Sequence, residues 1–342
     1  VVSSLSYVVL SDNEKNKFES QYNSLSTSAL QSVADSFSRS SVGLREMAST
    51  YSYIYPNASN YPEIAWLGFQ DTANLLANIS ALSTVAMVPI VKPADLQRYE
   101  NYMSQYYQTD PSINKPPPIP GLTLGQVWSL NSNFVPYHST SGVELHSPYE
   151  YIAPLAQITY TEILNTQFYG YNLHTFPYVS GVLDQIIACS ESPEVTDKSR
   201  SCGGMSESTT LPFTTYFQPH PEVVDVQALL AYPVFPASNR SHIKGFSVGA
   251  VSWKSLLQQA VPSFVSGLDC VVTTGFGTTF TYTITDGMPV YRGFADHHDS
   301  SFEDYRRSAV LDAQNSQLAA SSVYEVTLYP RSEFVRTYAT MA

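Results

Sequence analysis

The chain has 342 residues, 43% of them hydrophobic, so a core large enough for one large domain or two smaller ones can form. It carries 29 acidic and 17 basic residues, a net charge of −12, with no basic run beyond Arg306-Arg307, which argues against nucleic-acid binding through the phosphates. Only 13% of residues are charged, against about 25% in a typical soluble domain, so Ser, Thr, Asn and 25 tyrosines carry the polarity. A surface of that kind hydrogen-bonds rather than pairs ions, and points away from the cytosol.

In chain order, VVSSLSYVVL opens the sequence and reads as the outer end of a membrane span, the chain itself being a piece of something longer. No stretch approaches the ~18 consecutive apolar residues of a complete span. Residues 11–54 form one long helix in this reading. Ser11, Asp12 and Glu14 have the spacing of a capping box. Apolar residues recur at Phe18, Tyr22, Leu25, Ala29, Val33, Phe37, Leu44, Met47 and Tyr51, one helical stripe. A helix so long either spans two subdomains or packs against a copy of itself. Residues 61–79 read as a second amphipathic helix, 81–91 as a buried strand, and 92–107 as a helix with Pro93 in its first turn. Residues 108–148, with KPPPIPG, read as a long irregular loop.

The second half is mostly strands. They are expected at 149–160, 210–217, 226–235 and 244–253, then at LDCVVTTG, TTFTYTITDG and 323–330. Helices fall at 177–188, at KSLLQQAVPSF and at the C-terminal end. The fold class is α+β, with a long N-terminal helix and antiparallel sheets.

Three cysteines are present: Cys189, Cys202 and Cys270. Without a CxxC pair a zinc knuckle is disfavoured. Cys189 and Cys202 flank a polar, glycine-containing loop, which suits a disulfide and also tolerates two free thiols. The sequons at Asn57, Asn78 and Asn239 favour the disulfide and an extracellular or lumenal location.

Motifs for chemistry are thin. GFGTTF lacks the third glycine of a phosphate loop and lies between strands, so a turn explains it. In DHHD, His297 and His298 point to opposite faces of an extended backbone and are badly placed for one metal. No nucleophile–base or acid–base set can be assembled, so this fragment is not expected to be an enzyme, and no cofactor or metal is assigned. What stands out is FYGYNLHTFP (168–177), where Asn172 and His174 sit among aromatics. Aromatic-rich strands with a small polar minority suit a small-molecule pocket.

The residues Gly170-Tyr171-Asn172-Leu173, with Pro177 and the helix through Leu183, resemble the Gly-aromatic-polar-Leu pattern of the CHASE domain. This is the extracellular sensing module of receptor nucleotide cyclases and sensor histidine kinases. Thr210-Leu211-Pro212-Phe213, Pro233-Val234-Phe235, Gly245-Phe246 through Trp253, and Leu328-Tyr329-Pro330 resemble its strands. SDNEKNKFESQYNSLSTSALQSV resembles its stalk helix. DGMPVYRGFADHHDSSFEDY resembles the membrane-near part of the receptor cyclases of unicellular algae. The resemblance runs from about residue 11 to the end.

It implies a stalk helix over residues 1–60, a membrane-distal PAS-like ligand-sensing subdomain over 61–240, and a membrane-proximal PAS-like subdomain over 241–342. It also implies flanking membrane spans outside the fragment, a homodimer through the stalk helix, and a cyclase making cyclic GMP or cyclic AMP beyond these residues. Asn172 is the first ligand-contact candidate, with Thr209, Leu211, Phe213 and Leu230 on facing strands. Its replacement by alanine is expected to leave the protein folded and unresponsive. The alternative reading of Asn172 is a cap or turn residue. The cytokinin-binding branch has Asp where Asn172 stands and a hydroxyl residue where Ala231 stands, so two anchors are missing and cytokinin is not the expected ligand. Three other readings compete: a histidine-kinase sensor, an extracellular interaction module and a secreted hydrolase. A cavity of a few hundred Å³ separates a sensor from an interaction module.

Overall fold

The computed structural model describes residues 2–109, 119, 121–133, 135–139, 149–159, 168–210, 225–312 and 323–339. The elements begin with helix α1 (Val2–Ile54), α2 (Phe69–Ile79), strand β1 (Leu82–Pro89), α3 (Leu96–Thr109), β2 (Trp128–Leu130) and β3 (Pro136–His138). There follow β4 (Gln157–Ile158), α4 (Pro177–Glu191), α5 (Lys198–Ser201), β5 (Gly204–Met205), β6 (Thr209–Thr210), β7 (Val226–Val234) and β8 (Gly245–Ser252). The chain closes with α6 (Trp253–Ala260), β9 (Leu268–Thr274), β10 (Thr279–Thr285), β11 (Met288–Phe294), β12 (Arg307–Asp312), β13 (Val323–Pro330) and α7 (Ser332–Ala339). The protein is α+β, with a long first helix and antiparallel sheets.

Two compact units result. The smaller takes residues up to Phe37, Trp253–Leu311 and the chain from Val323; the larger takes Ser38–Ser252. The division differs from the expected one in two ways. The first helix is not a separate stalk, because its residues belong to both units. The strand at 245–252 belongs to the larger unit, since β8 pairs with β7 and β1 in one sheet.

α1 is helical straight through Ser11, Asp12 and Glu14, so no helix starts there. Nothing in VVSSLSYVVL breaks a helix, and the turn chemistry of Ser11 and Asp12 is overridden. The apolar stripe is buried within this chain: Phe18, Tyr22, Val33, Phe37, Leu44 and Tyr51 are all buried. A seam to a second copy therefore cannot use it. The side of α1 left exposed is mainly polar, with Ser24, Ser28, Gln31, Asp35 and Ser38. No helix of the described residues is long and apolar enough to cross a membrane. Helix α2 begins eight residues later than expected. Tyr61 is extended (φ −85°, ψ 143°) because Pro62 follows it.

The larger unit holds a sheet in the order β4-β1-β8-β7-β5, with β6 also on β7. Nearly every residue of β1, β7 and β8 is buried, so both faces are covered. Leu44 of α1 covers one face. A Cβ on Gly249 would lie 2.9 Å from its Cδ1, so only glycine admits the helix this close. The other face joins α3, α4 and the loops around Trp128 and Tyr171 in one apolar cluster. The smaller unit holds the sheet β11-β10-β9-β13-β12. Counting strands within each of these two sheets, both share a run of second, first, last and penultimate strand. They differ in the third strand, which pairs with the penultimate in the larger unit and with the second in the smaller. β11 and β12 are not expected from sequence; Pro289 and Gly293 interrupt the first, and the second is a short edge strand with three polar residues in six.

In the smaller unit, Phe280, Tyr282, Tyr324 and Leu328 face Trp253, Tyr22 and Phe334. Cys270 lies in this core as a free cysteine, and burial pushes its thiol well up. DHHD follows β11. His298 Nδ1 lies 2.6 Å from Asp296, and the imidazole stacks on Tyr329 at 3.9 Å. No group of residues suited to a metal occurs among the described residues.

Cys189, near the end of α4, is disulfide-bonded to buried Cys202 just after α5. The bridge closes a separation of 13 residues. In the chain-entropy account a loop of that size contributes about 3 kcal/mol. The Cys189→Ser/Cys202→Ser double variant should therefore be about 3 kcal/mol less stable in urea denaturation, with a lower midpoint and a slope no smaller than the wild type's, since the unfolded chain is freed to expose more surface. An unmoved midpoint would mean that the bridge constrains nothing in the unfolded chain.

Candidate functional site

The stretch 168–176 is held by main-chain bonds on both sides. Gly170 N donates to Leu155 O (2.9 Å) and Gly170 O accepts from Trp128 N (3.0 Å). Asn172 N donates to Trp128 O (2.8 Å), and Leu173 N to Ala153 O (2.8 Å). The segment thus lies as a short pseudo-strand between residues 126–128 and 153–155. This explains why the expected strand at 149–160 shrinks to Gln157–Ile158: the amides of Ala153 and Leu155 are spent on Asn172 and Tyr171 instead of a ladder. Gly170 has φ +78°, and a Cβ there would meet Gln126 O at 2.4 Å. The glycine of the motif is thus a backbone requirement.

Asn172 is buried, and both ends of its side-chain amide are hydrogen-bonded within the protein. Oδ1 accepts from Ala153 N (2.9 Å) and His174 N (3.2 Å), and Nδ2 donates to Ser139 Oγ (3.3 Å). It caps the single 3-10 turn Leu173–Thr175. Of its two sequence readings, the structure displays the cap. His174 is fully buried beside it, with Nε2 3.1 Å from Asp184 Oδ1 and Nδ1 3.2 Å from Tyr151 O. Tyr151 stacks on the imidazole at 4.0 Å and donates its hydroxyl to the same Asp184 oxygen at 3.0 Å. Burial, followed by the Asp184 charge, holds that phenol far above its usual range.

Two spaces meet this stretch, and Tyr171 lines both. The inner one is a cavity of about 50 Å³ between the sheet and the pseudo-strand. Thr84, Ala86, Val248 and Ala250 form its floor, and Tyr171 and Leu173 lie over them. The outer one is a groove of about 500 Å³, lined by Asn131, Tyr171, Thr175, Phe176, Tyr178 and Thr209.

The sequence candidates divide as follows. Thr209 lines the groove. Asn172 lines neither space. Leu230 is buried on the opposite face of the sheet: it pairs with Gly249, whose missing side chain is where Leu44 packs. Its neighbour Leu229 is the one that lines the cavity, a parity the strand pattern could not give because almost every residue of β7 is buried. Leu211 and Phe213 lie outside the described residues. Asn57, Asn78 and Asn239 are all exposed, as a glycan requires. Thr84 was missed. Its one sequence signal is a hydroxyl pair, Ser83-Thr84, inside an otherwise apolar strand.

No family model matches this chain, and no curated protein matches it. Among solved structures it is similar to one described as a methyl-accepting chemotaxis protein X. The two are 12% identical, with 96% of this chain and 100% of that chain covered, at a TM-score of 0.34. Likeness at that level carries no argument about function.

Proposed function

We propose that this chain is the extracellular ligand-sensing domain of a membrane receptor whose output, a nucleotide cyclase, lies outside these residues. The observation that carries the reading is the position of FYGYNLHTFP. The stretch singled out by its sequence forms the wall shared by a cavity and a groove on one face of the larger sheet. The exposed sequon asparagines and the Cys189–Cys202 bridge support an oxidising compartment. The common strand run of the two sheets supports a pair of PAS-like subdomains. α1 supplies core side chains to both units, and in this reading a ligand bound in the larger unit acts through that shared helix. Such coupling requires a ligand that binds two states with different affinity. A dimer through α1 would use its polar exposed stripe.

The test uses the full-length receptor in cells, with cyclic GMP and cyclic AMP measured on addition of the small-molecule fraction of spent medium. A severalfold change in either nucleotide, lost when Thr209→Trp fills the groove, is the expected result. Unchanged nucleotides alongside a change in histidine phosphorylation would replace the cyclase by a kinase. A second reading, an interaction module without a small ligand, is favoured by one observation: the space against the sheet is only about 50 Å³. Silence in both assays, with capture of a protein at the larger unit, would establish it.

A further inference from the structure

Another concave site lies where the last turns of α1 meet α5 and the turn after β7. It shares no lining residue with the cavity or the groove. It encloses about 360 Å³, within the range of about 300–1,000 Å³ usual for small-molecule sites. Three of the chain's ten arginines, Arg45, Arg200 and Arg240, line it. The chain as a whole carries a net charge of −12, so a gathering of guanidinium groups runs against its composition, and like charges drawn together repel.

Local structure fixes each arginine. Arg45 and Ser49, then Ser49 and Tyr53, are four residues apart, so they share one side of α1. Arg200 belongs to α5, whose cap Asp197 accepts from Arg200 N through Oδ1 (3.3 Å) and whose far end is pinned by the Cys189–Cys202 bridge. Arg240 follows a turn tied to the end of α1, where Ser238 N donates to Pro56 O (2.9 Å). Donors held in place this way lose little freedom when a ligand arrives.

The two carboxylates in the lining do not use up these donors. Asp197 Oδ2 lies 3.5 Å from Arg200 Nε, a long and exposed ion pair of the kind worth little, and the rest of that guanidinium has no partner among the described residues. The Arg240 side chain has neither an ion pair nor a hydrogen bond among the described residues. Tyr53 is 85% exposed at the rim, and buried Phe235 adds an apolar wall. We propose that this pocket binds a small organic anion, a carboxylate or a phosphate ester on a flat apolar body. Arg200 and Arg240 hold the charged head, and Tyr53 covers the body. An anion so held ties α1 to α5 and to the turn after β7. The site stands apart from the wall at 168–177 and does not rest on the sensing function.

Calorimetric titration of the full chain with phenyl phosphate and with benzoate offers two head groups on one body. At least one should bind and should weaken as NaCl rises from about 0.05 to about 0.5 M, and the tighter of the two identifies the head group. Arg200→Gln and Arg240→Gln should each weaken it about tenfold, the loss of a charge-assisted hydrogen bond, with melting temperatures unchanged because both side chains are exposed. Arg240→Lys keeps the charge without the planar fork and should fall between. Arg98→Gln, which breaks an ion pair with Glu63 outside the pocket, should leave binding as it is. The bare head groups, inorganic phosphate and acetate, should bind more weakly and be indifferent to Tyr53→Ala. Full affinity in both glutamine variants, or an equal loss in Arg98→Gln, would show diffuse charge screening and overturn the site. Bare head groups binding as tightly as the aromatic anions would overturn the role of Tyr53. Binding of neither aromatic anion would overturn the proposal and leave the sensing function standing, since that function uses the other two spaces.

Discussion

Replacing Asn172 by alanine should lower the stability of the larger unit by about 3 kcal/mol, well before any question of ligand arises. Two buried amides, Ala153 N and His174 N, lose their shared acceptor, and Ser139 Oγ loses a donor. A buried donor left unsatisfied costs about 1–3 kcal/mol, and loss of a cap about 0.5–2 kcal/mol, the two overlapping at His174 N. Against a typical total of about 5–15 kcal/mol this is a large share. Asn172→Asp keeps both acceptor contacts but buries a carboxylate, so it too should be destabilised at neutral pH and should recover as the pH falls and the acid is protonated. Chemical denaturation of the three proteins orders them. An alanine variant as stable as the wild type but deaf to ligand would return Asn172 to the site.

Gly170→Ala should be more damaging still, by at least about 3 kcal/mol, and should reduce the soluble yield of folded protein. The left-handed backbone (φ +78°) costs an L-residue about 1–2 kcal/mol. The new Cβ would also sit 2.4 Å from Gln126 O, a main-chain atom whose chain is tied down by the Trp128–Gly170 bond. Relief requires moving the pseudo-strand that walls both spaces. Gly181→Ala is the matched control. Gly181 is exposed within α4, and an alanine Cβ there would meet nothing within 4 Å, so the substitution should stabilise by about 0.5–1 kcal/mol. Thermal melts and protease resistance distinguish the pair. If Gly170→Ala melts like the wild type, the close approach to Gln126 is not a constraint.

These two residues also show how far the sequence could be read. That 168–176 matters was legible, because Gly, aromatic, Asn and His crowd into one short run between structured segments. How it matters was not. An Asn can cap or contact a ligand, and only the positions of Ala153 N and His174 N decide between the two. Likewise the stripe on α1 announced a long buried helix face, but whether a second copy or the chain's own sheets would cover it depended on contacts hundreds of residues apart, such as Tyr22 to Leu328.

The sequence by itself determined the α+β class, the long first helix, most of the long strands, the positions of the sequons and the pairing candidates among the cysteines. These rest on local periodicity, turn chemistry and composition, which act within a few residues of the chain. Only the tertiary structure decided the membership of the 245–252 strand, the choice of Leu229 over Leu230, and the turning of Leu82, at the β1 bulge, toward Gly249 and Leu44. The physical reason is the same in each case. Where a strand is buried on both faces, the pattern loses its alternation, and a one-residue bulge reverses which side chain meets which face.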